Sequence, residues 1–283
     1  MKKLNKIILV NCFIVLIIFV LIEVYLFFLK PNHLELDKEL GWKLKKNLNI
    51  KRVEKDLYGK EYPVIFNTND KGIISIYNNT QKENEKEILV IGDSFSNDPY
   101  VSTNKMWYSN LGKEIKNKFD INLKINVIGA GGYGTLQQYE SIKIHKKKKN
   151  IDPEIIILQF CSNDFENNLF ELEKKNGNMN QYLRRPYLDE NNKIYYDNSI
   201  LAKVMRLPFV GDSRILNKII FLYSINKKKK QIDDKLLKKS FFVTDKIIHN
   251  IVNLYPNTQN YIFNCVPDNK MQLNLQSIKN FNI

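Results

Sequence analysis

Four short apolar runs, each closed by small or turn-forming residues, constrain this chain more than any other feature. Glu87–Ile91 (EILVI) runs into Gly92-Asp93-Ser94, and Leu123–Ile128 (LKINVI) into Gly129-Ala130-Gly131-Gly132. Glu154–Phe160 (EIIILQF) runs into Cys161-Ser162-Asn163-Asp164, and Asn260–Val266 (NYIFNCV) into Pro267-Asp268-Asn269. Runs so short and so continuously apolar predict strands buried on both faces, hence a parallel sheet. Helix-patterned stretches lie between them at 104–118, 135–147 and 234–254. Alternation of this kind predicts a three-layer α/β domain. Ligands in such domains sit outside the carboxyl ends of the strands, where all four clusters fall.

The amino end imposes a second constraint. Ile7 to Leu29 is a 23-residue run in which only Asn11 and Glu23 are strongly polar. As a helix it is about 34 Å long, enough to cross a hydrocarbon core of roughly 30 Å. Lys2, Lys3 and Lys6 precede it, and no small-x-small cleavage site follows. The segment is apolar on every face, unlike a core helix. The expectation is a single transmembrane anchor over 7–29 behind a cytoplasmic stretch, 1–6, with Glu23 either protonated or near the far interface. The rest of the chain is expected on the extracytoplasmic side of the bilayer. Residues 30–81 read as a polar approach segment with one strand-like stretch, Tyr62–Phe66, and 82–283 as the main domain. Residues 165–235 exceed a plain connection and read as an insertion carrying a hairpin, Arg184–Leu188 and Lys193–Tyr196 around Asp189–Asn192.

Composition excludes other classes. The net charge is +14, but only five of 44 basic residues are Arg, so the Arg forks that read phosphates and base edges are scarce. No nucleic-acid partner is expected, and the runs Lys146–Lys149 and Lys227–Lys230 read as solvated helix ends or loops. Three cysteines without a CxxC spacing exclude a zinc ribbon. Cys161 and Cys265 end strands that are candidates for neighbours; they read as buried thiols, with an oxidised pair as the alternative outside the cytoplasm.

The chemistry centres on Ser94. A serine just after a strand and Gly-Asp, opening a helix, has an exposed hydroxyl in a positive helix-end field. Backbone N–H groups there and at a glycine turn on the next strand, with an Asn amide from a third strand end, are suited to a developing oxyanion. Ser94, Gly132 and Asn163 have this arrangement. Here the chain resembles the SGNH/GDSL hydrolases. Gly92-Asp93-Ser94-Phe95 matches their first block, with Ser94 in the nucleophile position. Val127–Gln137 is similar to the second block, Gly132 falling on the oxyanion-hole glycine, although Asn126 stands one place early. Cys161-Ser162-Asn163-Asp164 is similar to the third, Cys161 replacing a glycine and Asn163 matching the oxyanion-hole asparagine. The likeness extends upstream to Phe66-Asn67-Thr68-Asn69 and to the anchor, as in the envelope-facing branch of the family. It implies a flavodoxin-like parallel sheet and a serine ester hydrolase with Ser94, Gly132 and Asn163 around the oxyanion. Asp93 and Asp164 support the site, and no cofactor or metal is used. The implied substrate is an acyl ester, in the envelope-facing relatives one on a surface glycan. Acyl transfer to a sugar uses the same site, and a non-catalytic binding protein is the further alternative.

The resemblance breaks at its last block. The family closes with Asp-x-x-His, which supplies the base, and none occurs after Asn163. The domain therefore reads as incomplete at its carboxyl end. His33 and His145 read as surface residues and His249 as a helix-surface residue, so no general base is assigned. Gly129–Gly134 also satisfies G-x-G-x-x-G, but Glu154, at the required distance, opens its strand instead of closing it, which argues against a dinucleotide. Asp93, Asp164 and Asp268 end strands as magnesium ligands do, but without a phosphate-cradling loop.

Overall fold

The computed structural model describes residues 2–29, 32–78, 85–148, 151–177, 183–189, 191–226 and 233–265. Helix α1 (Lys2–Leu29) is unbroken, and over Asn5–Phe28 it is long and apolar enough to cross a membrane. A hairpin of β1 (Leu34–Asp37) and β2 (Gly41–Leu44) follows, then a second of β3 (Asn49–Lys55) and β4 (Glu61–Asn67). Next come β5 (Ile74–Tyr77), β6 (Lys86–Gly92), a 3-10 turn at Thr103–Lys105, α2 (Trp107–Phe119), β7 (Leu123–Gly129), α3 (Thr135–Lys147) and β8 (Ile155–Phe160). The insertion holds α4 (Asn163–Asn167), α5 (Phe170–Asn176), β9 (Tyr187–Leu188), β10 (Ile194–Tyr195), α6 (Ile200–Met205) and α7 (Arg214–Ile225). Helix α8 (Asp234–Leu254) and β11 (Gln259–Asn264) complete the described chain.

The central sheet has the order β11-β8-β6-β7-β5. Its first four strands are parallel and β5 is an antiparallel edge. Central strand β6 is apolar from Ile88 to Ile91 because both faces are covered there: Leu89, Val90 and Ile91 are fully buried. Leu89 and Ile91 pack with Ile142 of α3 and Ile248 and Ile251 of α8 on one face. Ile88 and Val90 pack on the other with Tyr108 of α2 and with Trp42, Leu44 and Phe66 from the two hairpins. Each such side chain contributes about 1.5–3 kcal/mol by leaving water. The result is a mixed α/β protein with a mostly parallel five-stranded sheet and an amino-terminal apolar helix.

Several expectations are corrected. The approach segment is not a plain linker: residues 32–78 form five strands and supply one wall of the core. Exposed positions alternate with buried ones along β4, where Val64 and Phe66 point inward. The insertion has its hairpin, with Leu188 paired to Ile194, but is otherwise helical. Cys161 and Cys265 are joined in a disulfide, because β8 and β11 are neighbours and end level with one another. Asp268 and the Pro267 turn lie outside the described residues.

Candidate active site

The carboxyl ends of β6, β7 and β8 bring the three motif clusters together. No helix begins at Ser94, contrary to the sequence reading; the chain makes a turn, and α2 opens only at Trp107. Asp93 builds this turn: its backbone carbonyl accepts from the Ser96 and Asn97 N–H groups, and its Oδ1 accepts from the Phe95 N–H at 3.0 Å. The carboxylate supplies the local acceptor that fixes a turn of this kind. Asp93 is buried while Ser94 and Phe95 are exposed, so the hydroxyl faces outward from a fixed base.

The second cluster packs against the first. Gly129 pairs with Gly92 at φ 152°, and a Cβ there would lie 1.9 Å from the Gly92 carbonyl oxygen, so only glycine fits. A Cβ at Gly131 would lie 4.0 Å from Ser94 Cβ, which sets the glycine loop beside the nucleophile position. Among the described residues neither the Ser94 nor the Gly132 N–H is donated to a protein acceptor. The loop is held through its carbonyls. Trp42 Nε1 donates to the Gly131 oxygen at 3.1 Å, and Arg185 Nη2 to the Gly132 oxygen at 2.7 Å.

Arg185 is the centre of a buried network that sequence reasoning did not single out. It is 1% exposed, donates from Nε to Glu173 Oε2 at 2.8 Å and from Nη1 to Gln137 Oε1, and lies 5.2 Å from the Trp42 ring centroid. The Tyr187 hydroxyl donates to the same Glu173 oxygen at 2.7 Å, and Gln137 donates to the Leu40 carbonyl at 2.7 Å. Burial pushes the Glu173 carboxyl up, against the lowering effect of Arg185. The visible signal was an Arg-Arg pair in a chain with five arginines, read only as part of a hairpin.

The third cluster opens α4. Exposed Asn163 donates to Asp93 Oδ2 at 3.3 Å, so it stands beside the nucleophile turn. Asp164 turns inward, and its Oδ2 accepts from the Cys161 N–H at 3.3 Å. The Cys161 sulfur lies 3.6 Å from Asp93 Oδ1. Burial raises the Asp164 carboxyl well above its ordinary value, and neighbouring Asp93 adds to the rise; Asp93 itself is raised mainly by burial.

A cavity of about 380 Å³ opens beside Gly131, lined also by His33, Trp42, Arg52, Arg184 and Arg214. His33 is half-buried in this cavity wall: burial, then Arg52 and Lys45, push its imidazole down to about 4. His145 lines a second cavity beside Gly129 and is pushed down to about 4, mainly by burial. His249 lies along α8, its Nδ1 2.8 Å from the Asp245 carbonyl.

No protein-family model matches the chain, and no curated protein matches it. Solved structures similar to it include an acetyl xylan esterase from the rumen bacterium Butyrivibrio proteoclasticus, at 10% identity over 69% of this chain and 50% of that one, with a TM-score of 0.30. Another is TesA, at 15% identity over 60% of this chain and 99% of that one, with a TM-score of 0.25. The chain thus spans half the length of the acetyl xylan esterase.

Proposed function

We propose that this chain is a membrane-anchored serine ester hydrolase of SGNH type, in which Ser94 attacks an acyl ester. The observation that carries this reading is the convergence at three adjacent strand ends: an exposed serine on a braced turn, a glycine loop against it, and an asparagine amide at its flank. The Ser94 and Gly132 N–H groups and the second N–H of Asn163 are the donors for the oxyanion. Asp93 holds the turn and Asp164 the start of α4. The envelope-facing relatives suggest acyl groups on surface glycans as substrate, with the domain outside the cytoplasm.

A hydroxyl without a base to take its proton is a poor nucleophile, and a site reduced to its oxyanion hole and binding retains roughly 10³–10⁴-fold catalysis over water. None of the described histidines is bonded to the Ser94 turn. The expected activity is therefore weak. The test is hydrolysis of a short activated ester by the detergent-purified full chain and its Ser94→Ala variant. Slow turnover abolished by the substitution supports the reading. Turnover unchanged in Ser94→Ala removes Ser94 from the chemistry, and no turnover in either supports a non-catalytic binding role.

A further inference from the structure

Glu23 is the one acidic residue of the apolar run, and the fold gives it a partner. Its carboxylate accepts from the Ser213 hydroxyl, from the Arg214 N–H at 3.1 Å and from the Ile215 N–H at 3.0 Å. These are the orphan donors at the start of α7, so an α1 side chain caps that helix in the way a local N-cap does. The Arg214 guanidinium completes the clasp, donating to the Leu26 carbonyl and lying 6.0 Å from the Phe27 ring centroid.

This contact fixes the depth of α7. Glu23 precedes Leu29 by six residues, which at 1.5 Å per residue is about 9 Å along the helix axis. Helix α7 therefore starts level with a point inside the apolar run, not beyond its end. Its sequence suits that place. Of Arg214–Ile225 only Ile220 and Ser224 are buried, while Ile219, Phe221, Leu222, Tyr223 and Ile225 are exposed. The turn before it adds Leu207 at 52% exposure and Phe209 at 89%, the latter held at φ 68°, where a bulky side chain is rare. So many exposed apolar side chains on one short helix and the turn before it are uncommon where a protein meets only water.

We propose that α7, with the Leu207–Phe209 turn, is an interfacial helix. It lies in the headgroup–acyl boundary of the leaflet from which the carboxyl end of α1 emerges. Interfacial helices bury their apolar face roughly 5–10 Å below the headgroups, which agrees with the level of Glu23. The occupant of this surface is lipid, because the surface is continuous with the membrane-crossing helix. The proposal rests on the reading of α1 as a membrane span and is independent of the chemistry at Ser94.

The test uses the full chain in nanodiscs containing acyl-brominated phosphatidylcholine, with one environment-sensitive fluorophore per protein. Native Cys12, which lies within α1 and is the free cysteine, reports the anchor. In a Cys12→Ser background, Leu222→Cys and Tyr223→Cys report α7, two exposed positions that keep the measurement available if one variant fails to fold. Lys118→Cys, at the end of α2 near the amino ends of the strands, is the control. The expected result is a roughly twofold loss of emission at Cys12 and at either α7 position, with none at Lys118→Cys. Quenching at Cys12 with both α7 labels unquenched overturns the proposal while leaving the anchor. An unquenched Cys12 overturns its premise, the span itself. Unquenched α7 labels that cross-link between copies assign the face to a second copy of the chain and also overturn it.

Discussion

The two sides of the candidate site are built in opposite ways. The backbone of the Ser94 turn is closed locally: Asp93 accepts from the Phe95, Ser96 and Asn97 N–H groups, and Gln159 of β8 holds the Ser96 hydroxyl. The glycine loop is held from far away in sequence, by Trp42 from the first hairpin and by Arg185 from the insertion. A turn closed by its own backbone bonds depends on distant partners only for its side chains, Gln159 and Asn163 here. A loop whose N–H groups must point outward together needs its carbonyls drawn back, and distant donors do that. The glycine-loop side is therefore the part of the candidate site most exposed to remote substitution.

The largest effect is expected from Arg185→Leu, which leaves Glu173 buried without its cation and should cost about 3–5 kcal/mol in chemical denaturation. The double variant Arg185→Leu/Glu173→Leu should recover much of that loss, because replacing both charges by apolar groups removes the unpaired carboxylate. If it recovers the fold but not Ser94-dependent turnover, the loop's long-range bracing is what catalysis needs. If single and double variants are equally stable, the network does not brace the loop.

On the nucleophile side the distinctive readout is pH. The buried Asp164 and Asp93 carboxyls are raised in the folded protein, so over that window the native state binds more protons than the unfolded chain. Stability contributed by each is fully present below the unfolded value near 3.8 and is lost as pH rises through the raised folded value. The slope approaches about 1.4 kcal/mol per pH unit for one proton. Asp164→Asn should flatten it in urea titrations from pH 4 upward; an unchanged slope would place the titration elsewhere. A smaller loss, about 1 kcal/mol, is expected for Trp42→Phe, which keeps the ring and removes the Gly131 hydrogen bond. His249→Ala should fall within about 0.5 kcal/mol of wild type and leave turnover unchanged, since it touches neither side of the site.

What was legible in the sequence follows the same division. The strands β6, β7 and β8 declared themselves because each is largely buried on both faces and so reads as a mostly apolar run, while β11 alternates buried and exposed positions but keeps Tyr261, Ile262 and Phe263 together. Helix α8 was legible over its full span through its apolar period. The hairpins of residues 32–67 were not, because β3 and β4 bury one face only and mix Asn, Lys, Glu and Pro with apolar Val53 and Ile65 at their exposed positions. The helix expected at Ser94 failed for a specific reason: Asp93 captures the N–H groups of the next residues into a turn, and Pro99 intervenes before α2. Ser94, Gly132 and Asn163 were recognisable because each sits at a strand end. Arg185 was not, because its partners lie 12, 48 and 53 residues away. The capping role of Glu23 was hidden likewise, its partner lying 190 residues off.

The bond between Cys161 and Cys265 spans 104 residues of sequence and so closes a covalent ring around the insertion, α8 and β11. A ring changes what a single cut can do. Proteolysis anywhere in the insertion opens the circle without releasing either piece, so a nicked protein should run as one band until it is reduced. The same ring ties the end of β11 to Cys161, whose sulfur lies 3.6 Å from Asp93 Oδ1, so the covalent closure sits against the base of the Ser94 turn.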